Sequence, residues 1–435
     1  MSNLTSLIKN KYSLNFLWTF LEKLINLTSV LLIGVFLARY LGPEHYGILT
    51  YSQSYVGMFG FLISLGLDNI TIREVIKKER NSNLIISTAF ILKFVAYFFI
   101  GVIINSLSYF SNDTTEIKLI VLVVSLGLIQ QPFNVFVNYF QAIVNIKYIS
   151  LILMISKLIL IITKLFLIYY EASLISFVVL DTLIFFLLAF FYFLHYKTYT
   201  SLKVGEIFLF DKNYALNMLK DSWPLMISSG AIMLYMRLDQ VMIKEMLSLE
   251  ELGYYSIGVK IAESWYFIPM IISSVLFPAI LKARSVDLSL YNERLKRVFF
   301  VTGWIGLIFS AFLFFFSEYI VYLLFGNQYA NSHESLSILS LAGVFVSMGY
   351  VNGKWMVAEN YTKLSLYRNV LGMIVNLCCN FILIPKYGIN GAAFSTLFAI
   401  FVASNLFFLF SKKTRSIFYI QNSAIFNFKS IKKIF

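Results

Sequence analysis

Three charged side chains stand inside an apolar stretch long enough to cross a bilayer. Residues 222–246 read SWPLMISSGAIMLYMRLDQVMIKEM and carry Arg237, Asp239 and Lys244. A charge at membrane depth costs ~3 kcal/mol or more, so it must face protein or water, and it marks an ion or substrate path by default. Helical geometry sorts the three. Arg237 and Lys244 are seven apart, nearly two turns, and share a face with Gly230 and Val241. Asp239 lies about 200° round the helix from Arg237, so the two cannot pair along it. The helix offers a basic stripe on one side and a carboxylate on another. Alternatively, each charge meets an opposite charge on a neighbouring helix and only ties the bundle together.

Other stretches extend this set. Asn15, Thr19, Glu22, Asn26 and Ser29 step by 4, 3, 4 and 3, which keeps them on one helical face, with Lys23 beside it. In lipid that face would be unsatisfied, so it turns inward. It lines a cavity or holds a buried Glu–Lys pair. Ser150, Lys157 and Lys164 are each seven apart, in a stretch without a carboxylate. Two lysines on one membrane-helix face require an anion from elsewhere in the bundle or from a ligand. Lys260 and Glu263 are three apart, with Ser256 and Phe267 on the same face, and can neutralise each other. Lys93, Lys354 and Arg368 fall nearer span ends, where long side chains snorkel to the interface. Asp181, Glu318 and Glu359 are available as counter-charges.

Deep cations (Lys23, Lys93, Lys157, Lys164, Arg237, Lys260, Lys354, Arg368) outnumber deep acids (Glu22, Asp181, Asp239, Glu263, Glu318). Surplus positive charge in a low-dielectric chamber attracts an anion. Phosphate suits arginine and lysine by charge and geometry. The expected anion-binding set is therefore Arg237, Lys23, Lys157, Lys164 and Lys260. Asp239 and Glu22 are the carboxylates able to take up a proton or a sodium ion. Tyr51 and Tyr55 could stack on sugar rings.

Composition limits the alternatives. The chain has 435 residues, 59% hydrophobic and 13% charged, against about 25% charged in soluble proteins. Apolar runs near the length of a crossing recur from end to end, the mark of an all-α polytopic membrane protein. The first span holds Glu22 and Lys23 and lacks a small-residue cleavage site, unlike a removable signal peptide. The net charge of +13 lies in loops between spans, which argues against nucleic acid as a partner. Cys378 and Cys379 are adjacent in an apolar run and indicate neither a disulfide framework nor a metal site. His45, His195 and His333 lie far apart at span ends, as interfacial residues do. The run GYVNGKW at 349–355 is one residue short of a phosphate loop and lacks its hydroxyl residue. None of the seven aspartates forms an Asp-x-Asp pair, and no catalytic constellation stands out. No cofactor is expected beyond a coupling ion.

The elements that must position these residues are twelve spans, roughly 14–37, 46–67, 84–107, 117–144, 148–170, 174–195, 217–245, 252–280, 298–325, 335–358, 363–384 and 390–411. Loop cations fix the orientation. One side collects Lys9, Lys11, Arg73, Lys77, Lys78, Arg80, Lys147, Lys197, Lys203, Lys212, Lys282, Arg284, Arg294, Lys296, Arg297, Lys363, Lys412, Lys413, Arg415, Lys429, Lys432 and Lys433. The other holds Arg39 and Lys386. This asymmetry places both termini in the cytoplasm.

The halves also match faintly. LGPEHYG at 41–47 corresponds to LSLEELG at 247–253, an offset of 206. Asn145 and Ser150 correspond to Asn360 and Ser365, an offset of 215. Both pair a span with the sixth after it, so the halves share one orientation and are expected to enclose a central cavity. The expected domains are a six-helix lobe with its linker over 1–205, a second six-helix lobe over 206–411, and a basic cytoplasmic tail over 412–435.

At the level of motif, the chain resembles the O-antigen flippases. These are the polysaccharide-exporting branch of the superfamily that also holds multidrug and toxin extrusion proteins and the peptidoglycan lipid flippase. The resemblance covers essentially the whole chain. It is carried by FLARYLGPEHYG at 36–47, the most specific, and by GLDNITIRE at 66–74. FQAIVNIKY at 140–148, RLDQVMI at 237–243 and GYYS at 253–256 add to it. The resemblance implies two six-helix lobes around a cationic cavity in the bacterial plasma membrane. It implies a non-enzymatic carrier of undecaprenyl-diphosphate-linked oligosaccharide, working by alternating access beside a polysaccharide polymerase and its chain-length machinery. Arg237, with Asp239 after it, is the position on which resemblance and helical geometry agree. The alternatives are a drug/cation antiporter, which would favour an acidic cavity, a membrane polysaccharide polymerase or glycosyltransferase, which would carry a long outer loop, and a non-transporting scaffold.

Overall fold

The computed structural model describes residues 11–77, 81–201, 208–284 and 287–425. Of the loop cations named above, Lys9, Lys78, Arg80, Lys203, Lys429, Lys432 and Lys433 lie outside the described residues, as do the side chains of Lys11 and Lys282 and that of Asn15 in the first polar stripe. Among the described residues there is no strand. In lipid a helix meets every backbone polar group internally, so an apolar chain of this kind has no cheaper solution.

The helices run in order as α1 (Lys11–Gly57), α2 (Gly60–Ser64), α3 (Leu67–Lys77), α4 (Ser82–Phe110), α5 (Thr115–Gly127), α6 (Gln130–Ala142), α7 (Lys147–Tyr169) and α8 (Leu174–Thr200). They continue as α9 (Lys212–Met246), α10 (Leu249–Glu263), α11 (Phe267–Arg284), α12 (Leu288–Phe325), α13 (Ser332–Ala358), α14 (Thr362–Phe401), α15 (Phe407–Phe410) and α16 (Arg415–Ile425). Among the described residues, nine helical segments are long and apolar enough to cross a membrane. Two are long enough for two crossings: Leu17–Lys77 with 61 residues and Lys363–Phe410 with 48. Each contains a break. Gly42 adopts φ 70°, ψ 172° just before Pro43, because proline bars its predecessor from the helical region and glycine alone turns freely to positive φ. Gly388 does the same at φ 57°, ψ −139°, three residues after Pro385. Three spans expected to be continuous are also interrupted: between α1 and α3, between α5 and α6, and between α10 and α11.

Contacts divide the chain into two compact units. The first comprises Met1–Leu41 and Ser52–Gly230, the second Gly42–Tyr51 and Ala231–Phe435. The first is centred on Phe90, Phe136, Leu188 and Tyr196, with the Phe136 and Tyr196 rings 4.8 Å apart. The second is centred on Leu295, Phe299, Met348, Trp355 and Phe408. Large apolar side chains such as Phe98, Phe110, Ile162 and Phe315 are exposed, as suits surfaces solvated by lipid.

The faint repeat has a physical basis inside the second unit. Gly47 meets the carbonyl of Leu249, and Gly253 meets the carbonyl of Pro43. The offset of 206 exchanges these two contacts, so the matched motifs pack reciprocally against each other. Ser256 Oγ donates to Thr50 Oγ1 at 3.1 Å across the same 206 residues. The second correspondence shifts by one residue. Val144 N bonds Gln141 O as Asn360 N bonds Val357 O, and Asn145 N bonds Phe140 O as Tyr361 N bonds Met356 O. Val144 and Asn360 both have positive φ, so the two turns are alike at an offset of 216 instead of 215.

Candidate functional site

The second unit encloses a cavity of about 430 Å³. α9 brings Asp239 and Tyr235 to it, α10 Tyr255 and Glu263, α13 Tyr350 and Lys354, and α14 Arg368, Asn369 and Thr396. The break at Gly388 folds the end of α14 back on its beginning, so that Thr396 returns to Asn376. There Asn376 Nδ2 donates to Thr396 Oγ1 at 3.2 Å.

Asp239 is the centre of a polar network inside this wall. Tyr255 Oη donates to Asp239 Oδ2 at 2.5 Å, and Thr396 Oγ1 donates to the same oxygen at 3.2 Å. The Gln240 backbone N–H donates to Oδ1 at 2.7 Å. Behind Thr396, Asn380 Nδ2 donates to Asn376 Oδ1 at 3.1 Å, and Asn380 Oδ1 is buried without a partner. Asp239 is 2% exposed, and Asn376 and Asn380 are fully buried. Among the described residues no cation bonds this carboxylate. An anion kept in low dielectric by neutral donors is electrostatically incomplete. A proton or a hard cation, which prefers oxygen ligands, would complete it. Arg237 attracts both Asp239 and Glu263 but is bonded to neither.

The other candidates fall as follows. In the first unit, Glu22 is buried and accepts from Ser150 Oγ at 3.0 Å. Lys23 Nζ is 3.5 Å from Glu22, with its side chain 47% exposed. Lys164 is buried and 2.7 Å from Asp181. Lys157 feels the charges of both Asp181 and Lys164, so the two lysines of α7 share one acid on α8. In the second unit, Lys260 does not pair with Glu263, three residues away. Its Nζ donates to Tyr46 Oη at 3.0 Å and lies 5.4 Å from that ring. Lys244 is 2.8 Å from Glu245 and 4.8 Å from the Tyr51 ring.

Two further expectations are corrected. Lys93 does not snorkel: it is 1% exposed and 2.5 Å from Asp68, which also accepts from Asn138 Nδ2 at 2.8 Å. Arg368 does not reach for an interface either, since it lines the cavity. Tyr255, Thr396, Asn376 and Asn380 were overlooked in the sequence. The signal was available: Asn369, Asn376 and Asn380 step by seven and four, a helical stripe like that of the first span.

Residues 36–334 match the family of polysaccharide biosynthesis proteins. The capsular polysaccharide biosynthesis protein CapF of Staphylococcus aureus is 23% identical over 410 residues, covering 92% of this chain and 99% of that protein. An inward-facing multidrug resistance MATE family transporter of the MOP superfamily superimposes with a TM-score of 0.67 at 14% identity, covering 91% of this chain and 95% of that one. The lipid II flippase MurJ in an inward closed conformation superimposes with a TM-score of 0.63 at 18% identity, covering 95% and 91%. The fold is that of these multi-pass membrane proteins.

Proposed function

The chain belongs to the polysaccharide biosynthesis protein family, and on that premise we propose that it is a transporter, not an enzyme, that flips lipid-linked oligosaccharide across the bacterial plasma membrane. The cargo is undecaprenyl-diphosphate-linked repeat unit of O-antigen or another surface polysaccharide, carried from the cytoplasmic to the outer leaflet by alternating access. One observation carries this reading: a chain of a polysaccharide-building family has the architecture of membrane transporters and keeps ionisable side chains inside its spans.

The proposed topology is twelve crossings in two six-helix lobes, 1–205 and 206–411, with both termini and the basic tail 412–435 in the cytoplasm. The glycine breaks in the two over-long apolar segments support it, since each splits one segment into two crossings. α9, whose charges set it apart from the nine apolar segments, adds another. Lys23, Lys157, Lys164, Arg237 and Lys260 hold the diphosphate. Most already lie beside an acid or a phenol, and the incoming phosphate replaces that partner. Asp239 and Glu22 take up a proton or sodium ion, and the occupied and empty forms favour different states of the carrier. A polysaccharide polymerase and chain-length machinery receive the product, and membrane lipids surround the carrier.

The test is export of lipid-linked repeat unit in a deletion strain carrying Arg237→Ala or Lys164→Ala at normal abundance. Export should fall with each. Undiminished export by both overturns the assignment of these cations.

A further inference from the structure

Of the eight deep cations, five have no carboxylate within ion-pair distance among the described residues: Lys157, Arg237, Lys260, Lys354 and Arg368. Lys260 is engaged by Tyr46. Lys354 and Arg368 line the same cavity. Arg368 Nε and Nη2 both donate to one acceptor, Asn369 Oδ1, at 3.3 and 3.2 Å. Its Nη1 is buried and bonded to nothing. A guanidinium has five donors in a planar fork, and here one shared amide oxygen serves it. A cation left this incomplete at membrane depth is costly unless something else satisfies it.

The acids of the cavity do not perform that role. Asp239 is committed to Tyr255, Thr396 and the Gln240 backbone. Among the described residues Glu263 makes no ion pair within 4 Å, and it feels the charges of both Arg237 and Asp239. The wall of the same cavity is aromatic, with Tyr235, Tyr266 and Tyr350, and the charge of Arg368 reaches Tyr235. Each offers an apolar face and a hydroxyl at its rim. A volume near 430 Å³ falls within the ~300–1,000 Å³ typical of sites that enclose a small organic ligand.

We propose that this cavity binds a sugar carrying an anionic group, carboxylate or phosphate. Arg368 and Lys354 hold the anion, and Tyr235, Tyr266 and Tyr350 border the ring. The planar fork of Arg368 matches both groups. The anionic sugar has two sources: an acidic sugar within the glycan, or the phosphorylated sugar that joins the glycan to its lipid. The flippase reading supplies these sources; the binding itself does not depend on it.

The experiment is calorimetric titration of the whole protein in nanodiscs of neutral phosphatidylcholine. The probes are glucuronate, glucose 1-phosphate, glucose and inorganic pyrophosphate. At least one acidic sugar should bind about tenfold or more tightly than glucose, and pyrophosphate binding should be insensitive to Arg368→Gln. Glucuronate as the tighter ligand assigns the glycan, glucose 1-phosphate the lipid-linked end. Arg368→Gln should weaken that binding about tenfold, and Arg368→Lys should restore part of it. Lys354→Gln, at an exposed position, should weaken it less, and serves if the Arg368 variants do not fold. Four results overturn the proposal: no binding of either acidic sugar, glucose binding equally well, pyrophosphate binding equally well and weakened to the same degree by Arg368→Gln, or unchanged affinity in the Arg368→Gln and Lys354→Gln proteins. Export by the wild-type protein in a deletion strain is scored separately. Failure there with acidic-sugar binding intact removes the flippase reading and leaves the site.

Discussion

Replacing Gly253 by alanine should destabilise the fold by about 2 kcal/mol, and the figure follows from the crossing it occupies. A Cβ on Gly253 would stand 2.0 Å from Pro43 O and 2.7 Å from Pro43 C; one on Gly47 would stand 1.9 Å from Leu249 O. Carbon–oxygen contacts settle at about 3.3–3.6 Å, so α1 and α10 would have to part locally by roughly 1.3 Å. Overpacking costs about 1–3 kcal/mol. Here the obstacle is backbone, which has no rotamer to yield, so the upper end applies. Alanine's helix propensity returns about 1 kcal/mol over glycine, leaving ~2 kcal/mol. Gly101 in α4 is the control, because nothing lies within 4 Å of its Cβ position. Gly101→Ala should therefore leave stability unchanged or raise it. Gly47→Ala should behave like Gly253→Ala. The double variant should cost clearly less than the sum, since one separation of the helices relieves both clashes. The assay is the unfolding midpoint of the detergent-solubilised protein. A Gly253→Ala midpoint equal to that of wild type refutes the reasoning, and strict additivity of the two variants refutes the reciprocal crossing.

Two further outcomes are expected. Lys164→Met should destabilise near the lower end of ~3–5 kcal/mol, because Asp181 loses its partner but its side chain is 19% exposed and Lys157 stays nearby; adding Asp181→Leu should recover most of the loss. A double variant no more stable than Lys164→Met, by the same unfolding midpoint, counts against this ion pair. Asp287, ahead of α12, accepts from the backbone N–H groups of Ser289 and Leu290 at 3.2 and 3.1 Å, and these bonds hold its carboxyl below the usual carboxylate range. Because the folded value is the lower one, its stabilisation is present above the unfolded value of about 3.9 and is lost as pH falls through the folded value. Asp287→Asn, which keeps the cap, should flatten the acid limb of the stability profile and change little at neutral pH; an unaltered acid limb contradicts that role.

The amino-acid order by itself determined whatever depends on neighbours within a few turns. Membrane-length apolar runs, the glycine–proline break at Gly42 and the separation of Arg237 from Asp239 round α9 all follow from rise, period and backbone freedom, which are local. The pairing of the halves near Gly47 and Gly253 was visible as a weak echo, and it proved to be a packing contact. Partner choice was another matter. Lys260 has an acid three residues away, yet it bonds Tyr46, 214 residues distant. Lys93 and Arg368 lie where long side chains can reach an interface, yet one is sealed against Asp68 and the other lines a cavity. Helical periodicity says which residues share a face but not which helix that face meets. In a medium without water, the meeting decides whether a charge is neutralised or left for a ligand. That is why tertiary structure alone set Asp239 among Tyr255, Thr396 and the asparagines of α14, and left Arg368 without an acid.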